Sequence, residues 1–357
     1  MYAFCKRFQK VFKELHMPVS LIEIAEKAGV SLATASRALN GKDGVKPETR
    51  ERVLAVAKEL EYSANMAARM LATSRTETIC YAVNQRRAPL DVDPFYPNIM
   101  HGVEAELSRH GYHLLLSTIG DEHKSIATFK PIAENRVDGV ILAGPDIPPR
   151  FILELKQRGI PLVLVDNMLL NTSIDTINSD DIQGAYKATT HLIEHGHRDI
   201  VALLGPENWA SSAHRGQGYT NALVAAGLTP HLFHAEDTTS ETGHVLLKEA
   251  LNTIPNLTAI FAVNDAVALG ALHALQQLQR RVPEDVALIG FDDTYFSALS
   301  TPPLTTVKVF THEMGKLAAR RLLTILEEEE DTYPTVQAQL AAELVLRRSC
   351  GCAFRGY

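Results

Sequence analysis

Polar side chains that could hold a small ligand follow several short apolar runs of this 357-residue sequence. They are Asp166 after PLVLV, Asn264 and Asp265 after AIFAV, and Asp292 and Asp293 after VALIGF, with Arg215 in AHRGQGY. Carboxylate, amide and guanidinium groups can each hold a vicinal diol through two hydrogen bonds, which suits a sugar. For Asp265 and Asp293, a helix cap or a turn is the favoured alternative.

Aromatic residues near these positions could stack on the face of a sugar ring. Phe95 and its neighbour Tyr96 lie in DVDPFYPN, after the apolar run TICYAV, and Trp209 lies just upstream of Arg215. A packed core position is the alternative for Trp209, because aromatic side chains mostly serve burial. The predicted effector site comprises Phe95, Asp166, Trp209, Arg215, Asn264 and Asp292.

Catalytic and metal-binding patterns are missing from the sequence. It contains neither a G-x-G-x-x-G after an early strand nor a Walker loop or G-x-S-x-G elbow, so we expect neither enzymatic activity nor a cofactor. The dipole of a helix end explains His191, His195 and His197 without a metal. Cys350 and Cys352 lack a second pair or spaced histidines, so the four cysteines are expected to be buried or incidental thiols and no metal site is predicted.

Small and hydroxyl-bearing residues near the N-terminus predict a helix, a tight turn and a second helix. Apolar residues share one face from Leu21 to Ala28, Gly29 supplies the positive φ of a turn, and Ser31 can cap a helix beginning at Leu32. A third helix is predicted from Pro47 to Leu60. The second helix would expose Leu32, Ala33, Thr34, Ser36 and Arg37, a slender face that fits a major groove about 12 Å wide.

The charge distribution separates this N-terminal segment from the rest of the chain. Residues 1–75 carry 13 Lys and Arg against 8 Asp and Glu, a net charge of +5, whereas residues 76–357 carry 22 against 34, a net charge of −12. A basic head on an acidic body suggests that the head meets a polyanion.

The N-terminal segment resembles the LacI/GalR (lactose-repressor and galactose-repressor) family of bacterial regulators. The resemblance rests on VSLIEIAEKAGVSLATASRALNG, followed by KPETRERVLAVAKELEYSANMAARML, and it extends over nearly the whole chain. Lys46 departs from the pattern, because the family has serine or threonine there to cap the third helix. A lost cap costs about 1 kcal/mol, which a phosphate contact by Lys46 could offset.

The resemblance implies specific contacts with double-stranded DNA. Leu32 and Ala33 would face base edges, and Arg37 would reach guanine as a bidentate donor. Residues 63–73 would form a hinge helix on DNA and insert Leu71 into the minor groove, with a flexible linker as the alternative. The implied phosphate contacts are Ser20, Ser31, Thr34, Ser36, Asn40, Lys46 and Asn65.

The remainder of the chain alternates apolar runs with helical stretches, which indicates an α/β fold of parallel sheets covered by helices. Eight runs, TICYAV, HLLLS, GVILAG, PLVLVD, DIVALLG, AIFAV, VALIGF and TTVKV, suggest two doubly wound halves with a ligand where the strands end. The resemblance implies a bilobed, periplasmic-binding-protein-like domain whose chain crosses between halves near Asn178, near Val309 and around Tyr333. It also implies that Arg215, Asn264 and Asp292 contact the effector.

The expected domain organisation follows from these segments. Residues 1–16 form an N-terminal extension, either a genuine basic segment or a product of start-codon choice. Residues 17–62 form the helix-turn-helix domain, 63–76 the hinge helix or linker, and 77–357 the effector-binding and dimerisation domain. Within that domain, one subdomain takes about 77–177 and 309–333, and the other takes about 178–308 and 334–357.

Together these features predict a homodimeric transcription factor, a repressor released from a palindromic operator by a mono- or oligosaccharide. The alternatives are a repressor that needs a purine or other corepressor, and a sugar-binding protein that does not bind DNA. The chain ends LRRSCGCAFRGY without a leucine heptad, so a tetramer is not expected. No apolar run approaches the roughly 20 residues of a membrane span, and residues 1–16 lack the features of a secretory signal, so we expect a cytoplasmic location.

Overall fold

The computed structural model describes residues 19–39, 43–60, 75–84, 94–120, 125–169, 171–328 and 334–352. The chain divides into two compact units, residues 1–76 and residues 77–357. Across the described ranges, none of the helices has both the length and the apolar composition that crossing a bilayer requires.

The described residues of the first unit form three short helices, α1 (Leu21–Ala28), α2 (Leu32–Leu39) and α3 (Pro47–Glu59). Ser20 and Glu23 form a capping box at the start of α1, and Gly29 ends the helix with a φ of 64°. Ile24, Ala35 and Val53 are buried where the three helices meet. Alanines make up most of the buried side chains of this small core.

The second unit contains two six-stranded sheets. The first sheet has the order β11-β5-β4-β3-β1-β2 and is parallel throughout. Its strands are β1 (Thr78–Asn84), β2 (His113–Ile119), β3 (Gly139–Ala143), β4 (Leu162–Val165), β5 (Asp175–Ser179) and β11 (Gln337–Leu340).

The second sheet has the order β12-β10-β9-β8-β6-β7, and only its edge strand β12 is antiparallel. Its strands are β6 (Ile200–Leu204), β7 (Leu232–His234), β8 (Ala259–Ala262), β9 (Ala287–Asp292), β10 (Thr305–Lys308) and β12 (Glu343–Val345). All eight apolar runs of the sequence coincide with strands, and both sheets are doubly wound as predicted.

Helices connect the strands of each sheet. They are α4 (Phe95–Arg109), α5 (Lys130–Ala133), α6 (Pro149–Gln157), α7 (Asp181–Glu194), α8 (Ala210–Ala225), α9 (Ser240–Thr253), α10 (Asp265–Gln277), α11 (Tyr295–Leu299) and α12 (Thr311–Glu327). Helices α4 and α12 lie so close that a Cβ on Gly102 would overlap the carbonyl oxygen of His312. Glycine is therefore required at this crossing.

The chain passes between the two sheets three times. It leaves the first sheet after β5, returns after β10, and leaves again between β11 and β12. From the sequence, the third crossing is expected around Tyr333 and residues 334–357 are assigned to the second subdomain. That boundary is wrong, because β11 pairs with β5 in the first sheet, with Gln337 opposite Thr176.

Candidate nucleic-acid interface and ligand cleft

Helix α2 presents the exposed face that the sequence predicts. Ala35 and Ala38 are buried, whereas Leu32 is 49% exposed and Ala33 and Arg37 are also exposed. Ser31 begins the helix as a cap, because its Oγ accepts a hydrogen bond of 3.2 Å from the Thr34 amide. The hydroxyls of Ser31 and Thr34 lie 2.8 Å apart. The exposed face therefore combines two apolar side chains, paired hydroxyls and one guanidinium group.

The cations of this unit differ in their partners. Lys27 pairs with Glu59 at 2.9 Å, and Arg52 donates to the Ala28 carbonyl at 3.0 Å, so both hold helices together. Arg37 and Lys46 are exposed, and neither forms an ion pair or a hydrogen bond within the described ranges. Lys46 precedes α3 without a side-chain cap bond. Both side chains are therefore available for an external anion or a base edge.

The remaining residues predicted to contact DNA differ in burial and in hydrogen bonding, and some lie outside the described residues. Ser20 forms the capping box, where its hydroxyl donates to Glu23 Oε2 at 3.2 Å and accepts from the Glu23 amide at 3.3 Å. Ser36 is half-buried on α2. Asn40, Asn65, Leu71 and the predicted hinge helix of residues 63–73 lie outside the described residues.

A cleft lies at the carboxyl ends of the strands of both sheets. The first half of the unit contributes Phe95, Tyr96, Pro145 and Asp166. The second half contributes Ser211, Ser212, Arg215, Thr238, Val263, Asn264 and Asp292. Five of the six predicted effector residues therefore converge on one cleft, and its position is the one expected for ligands of doubly wound sheets.

Arg215 on α8 is the most constrained side chain of the cleft. Its Nε donates to Asp181 at 2.8 Å, and its Nη1 donates to Asp292 at 3.1 Å and to the Val263 carbonyl at 2.7 Å. Its guanidinium carbon also lies 3.9 Å from the centroid of the Phe291 ring. Burial lowers the pKa of Arg215, but the carboxylates of Asp181, Asp292 and Asp166 outweigh it and raise that pKa above its usual value. The side chain stays charged, and Nη2 is left for a ligand.

Two carboxylates approach the cleft from opposite halves. Asp166 follows β4 and accepts a hydrogen bond of 2.8 Å from the Tyr96 hydroxyl. Asp292 ends β9 with a φ of 106°, a backbone conformation that residues other than glycine rarely adopt. Such strained residues cluster at ligand sites, where the surrounding structure holds a side chain in position.

The two polar residues after β8 have distinct roles. Asn264 caps α10 through a hydrogen bond of 2.8 Å from the Val267 amide, and its Nδ2 donates to the Thr238 carbonyl at 3.1 Å. Asp265 is buried and does not cap the helix, contrary to the favoured interpretation of the sequence. Its carboxylate instead accepts from Thr306 Oγ1 at 2.6 Å and from the Thr294 amide at 2.7 Å.

Trp209 does not line the cleft. It immediately precedes α8 and is half-buried. Tyr96 is the aromatic residue that pairs with a cleft carboxylate, and Phe95 contacts it edge-to-face with ring centroids 5.1 Å apart. Among the described residues, the aromatic side chains that line the cleft therefore come from α4.

Two residues of the cleft region were not predicted from the sequence. Asp181 begins α7 and holds Arg215, although 34 residues separate the two in the chain. Ser212 Oγ is buried beside the cleft and has no hydrogen-bond partner among the described residues. The signal for Ser212 was its place in the first turn of a helix that follows a predicted strand, where side chains face the end of the sheet.

Comparisons with known proteins match both units. The model of bacterial regulatory proteins of the lacI family matches residues 20–65, and that of a periplasmic binding protein-like domain matches residues 189–350. The HTH-type transcriptional regulator CelR of Thermobifida fusca is 37% identical over 332 residues, which cover 91% of this chain and 96% of the relative.

Solved structures show the same architecture. A transcriptional regulator CelR–cellobiose complex has a TM-score of 0.71 at 34% identity and covers 93% of this chain and 99% of that chain. A lac repressor dimer bound to operator and the anti-inducer ONPF has a TM-score of 0.78 at 28% identity, with the same coverage of both chains.

Proposed function

The chain belongs to the LacI family of bacterial regulatory proteins, and we propose that it is a repressor that a neutral sugar releases from a palindromic operator. As a member of this family it is an effector-controlled, DNA-binding transcriptional regulator. The proposal adds the class of effector, the sign of its action and the residues that bind each partner.

The observation that carries the sugar assignment is the composition of the cleft. Asp166, Asp292 and the free edge of Arg215 offer hydrogen-bond partners for neighbouring hydroxyls, and Phe95 and Tyr96 lie beside them. The two carboxylates would repel an anionic ligand, so a neutral mono- or oligosaccharide fits better than a sugar phosphate. Cellobiose is the first ligand to test, because it is the ligand in the CelR complex.

The DNA-binding assignment uses the exposed face of α2. We propose that Leu32 and Ala33 contact base edges, that Arg37 reads a guanine, and that Ser31, Thr34 and Lys46 contact phosphates. Two copies of this head are needed to read a palindrome, so the acting species is a homodimer. The predicted wedge at Leu71 and the phosphate contacts of Ser20, Ser36, Asn40 and Asn65 belong to the same proposal.

A direct test couples the two activities. The full chain first selects its operator from a pool of random duplexes, and operator affinity is then measured with and without cellobiose. We expect cellobiose to weaken operator binding. Asp166→Asn should abolish that response while leaving operator affinity intact, and Asp285→Asn, which changes an exposed aspartate paired with Arg281, should behave as wild type.

The outcomes against the proposal are distinct. Failure to select any duplex would contradict the DNA-binding assignment. A response to a purine or a sugar phosphate, with none to neutral sugars, would contradict the effector assignment alone. We further propose that the chain has no catalytic role and acts in the bacterial cytoplasm, where the chromosome lies.

A further inference from the structure

The C-terminal Cys-Gly-Cys segment lies against the end of helix α7 and is distant in the sequence from the residues of the cleft. It is at the amino ends of the strands of the second sheet, whereas the cleft is at their carboxyl ends. Ser349 donates to the Leu288 carbonyl near the start of β9 at 2.6 Å, whereas the cleft residue Asp292 ends that strand. Cys350 is buried and Cys352 is half-buried. Neither cysteine forms a disulfide within the described residues, and their sulfur atoms lie 3.0 Å apart.

Helix α7 brings a third ligand to these thiols. His191 lies in its last turn, and a ring nitrogen of His191 and the two sulfur atoms all lie within 4.8 Å of one another. The Nε2 atom of His191 is buried and has no hydrogen-bond partner among the described residues. Leaving a buried polar atom without a partner costs free energy. A partner for Nε2 of His191 is therefore physically expected.

Two thiols and one imidazole form a donor set suited to soft cations. Thiolate and imidazole bind Zn²⁺ at about 2.3 and 2.0 Å, and three protein ligands with an open fourth position are a recurring arrangement. Ligand atoms within the separation seen here can reach one such ion with small side-chain movements. We propose that His191, Cys350 and Cys352 bind a thiophilic cation, Zn²⁺ or Cu⁺, and so fasten the C-terminal segment to α7.

Cys350 has a polar neighbour besides Cys352, because Thr305 Oγ1 donates to its sulfur atom at 3.2 Å. Burial raises the pKa of Cys80 to about 12, so Cys80 is an inert thiol within the first sheet.

The spacing in the sequence did not show this site, because its histidine precedes the cysteines by about 160 residues. From the sequence, His191 is attributed to the helix dipole, and no histidine is expected to complete a zinc site. The neighbouring His195 is the natural control, since its ring lies 4.2 Å from that of His191 between centroids but is not one of the three convergent ligands.

The test uses the untagged full-length chain, reduced, freed of metal with a chelator and kept anaerobic, with all four thiols confirmed by titration. Zn²⁺ and Cu⁺ are titrated separately against chromophoric chelators, and Co²⁺ reports thiolate ligation through its charge-transfer absorption. We expect one equivalent to bind. Cys352→Ser, Cys350→Ser and His191→Gln should each weaken binding by at least about 10-fold, whereas His195→Gln and Cys80→Ala should not.

Circular dichroism and operator binding establish that each variant is folded. Because Cys352 is only half-buried, Cys352→Ser is the variant least expected to impair folding. Binding of less than one equivalent by the reduced wild type, equal affinity in Cys352→Ser, or a loss in His195→Gln equal to that in His191→Gln would overturn the proposal. The comparison of the two ions identifies which cation the site prefers.

Discussion

At the scale of single residues, Arg37 tests whether α2 reads sequence. We expect Arg37→Ala to weaken binding to the selected operator by about 1 to 3 kcal/mol and to leave weak binding to a random duplex nearly unchanged, because a base contact is lost and phosphate contacts remain. Fluorescence anisotropy on both duplexes at one salt concentration measures the difference. Equal losses on the two duplexes would place Arg37 among the phosphate contacts.

Lys46→Ala is the matched variant for the opposite class of contact. Lys46 is exposed and has no partner within the described ranges, so its proposed role is purely electrostatic. Binding to operator and random duplex should weaken alike, and the slope of log affinity against log salt should fall by about 1. A loss confined to the operator would contradict this assignment.

Ser212 permits a prediction of stability as well as binding. Removing a buried hydroxyl that lacks a partner should raise the free energy of unfolding of the ligand-free protein, so we expect Ser212→Ala to stabilise it by roughly 1 to 3 kcal/mol. The same variant should bind cellobiose more weakly if the hydroxyl meets the sugar. Urea denaturation and calorimetric titration provide the two measurements.

Ser349→Ala is the control of opposite sign. Its hydroxyl is buried and satisfied, since it accepts from the Thr305 amide at 2.8 Å and donates to the Leu288 carbonyl at 2.6 Å. Its removal should lower the free energy of unfolding. If both serine variants were destabilised alike, Ser212 would have a hydrogen-bond partner of its own, which would contradict the prediction.

Residue types and strand ends were enough to predict most of the cleft, but not the network that positions it. Arg215, Asn264 and Asp292 could be located because parallel strands bring their carboxyl ends to one edge. The pairing of Arg215 with Asp181 depends on how α7 and α8 pack, which no local pattern specifies. The partner of Asp265, Thr306 on β10, is likewise set by sheet order.

At the scale of elements, strands with long apolar runs were predicted and the others were missed. Strand β5 reads DTINS, with Ile177 as its only large apolar residue, yet it lies between β11 and β4 in the first sheet and is mostly buried. Asp175 is tolerated there because Arg321 of α12 donates to it at 2.6 Å. Strand β11 has no apolar run either, which explains the misplaced third crossing.

Asp265 links three elements and should make stability depend on pH. Burial raises the pKa of its carboxyl from 3.8 to about 7 although hydrogen bonds from Thr306 and Thr294 oppose the shift. Because this pKa is higher in the folded state, the protonated carboxyl of Asp265 stabilises the folded protein. Its contribution to the free energy of unfolding is complete below pH 3.8 and is lost as the pH rises through about 7. The loss is at most about 4 kcal/mol.

Asp265→Asn removes this titration. Urea denaturation of both proteins between pH 4 and 8 should show that the wild type loses stability relative to the variant as the pH rises, with no further change above about pH 7. Asp285→Asn is the control, because its partner Arg281 lowers the pKa of Asp285 to about 2 and so confines its titration to more acidic solutions. Parallel pH profiles for wild type and Asp265→Asn would contradict the prediction.

At the scale of the whole molecule, α11 offers a surface suited to a second copy of the chain. Tyr295, Phe296 and Leu299 are 70%, 47% and 61% exposed on this five-residue helix, although all three are large and apolar. Exposed apolar patches mark interaction surfaces, and the proposed palindromic operator requires a dimer. We therefore predict that α11 contributes to the dimer interface.

Sedimentation velocity tests this surface. Leu299→Glu should shift the protein towards monomer and weaken operator binding in parallel, because a charge would be buried at the interface. Leu278→Glu changes a comparably exposed leucine after α10 and should leave the dimer intact. A dimer unaffected by Leu299→Glu, or a stable tetramer of the wild type, would count against the predicted assembly.

Coupling between the cleft and the DNA-binding unit is the last prediction, and it must act in both directions. A sugar can release operator only by binding the released state more tightly, and a coupling of about 1 to 3 kcal/mol corresponds to roughly 5- to 150-fold weaker operator binding. By linkage, saturating operator must lower the affinity for cellobiose by the same factor. Calorimetric titration of cellobiose with and without the selected duplex measures that factor independently.

If operator affinity fell in the presence of cellobiose while the affinity for cellobiose did not change with operator, the two sites would not be in equilibrium with each other. If the two ligands strengthened one another, the sugar would be a corepressor and the proposed sign would be wrong.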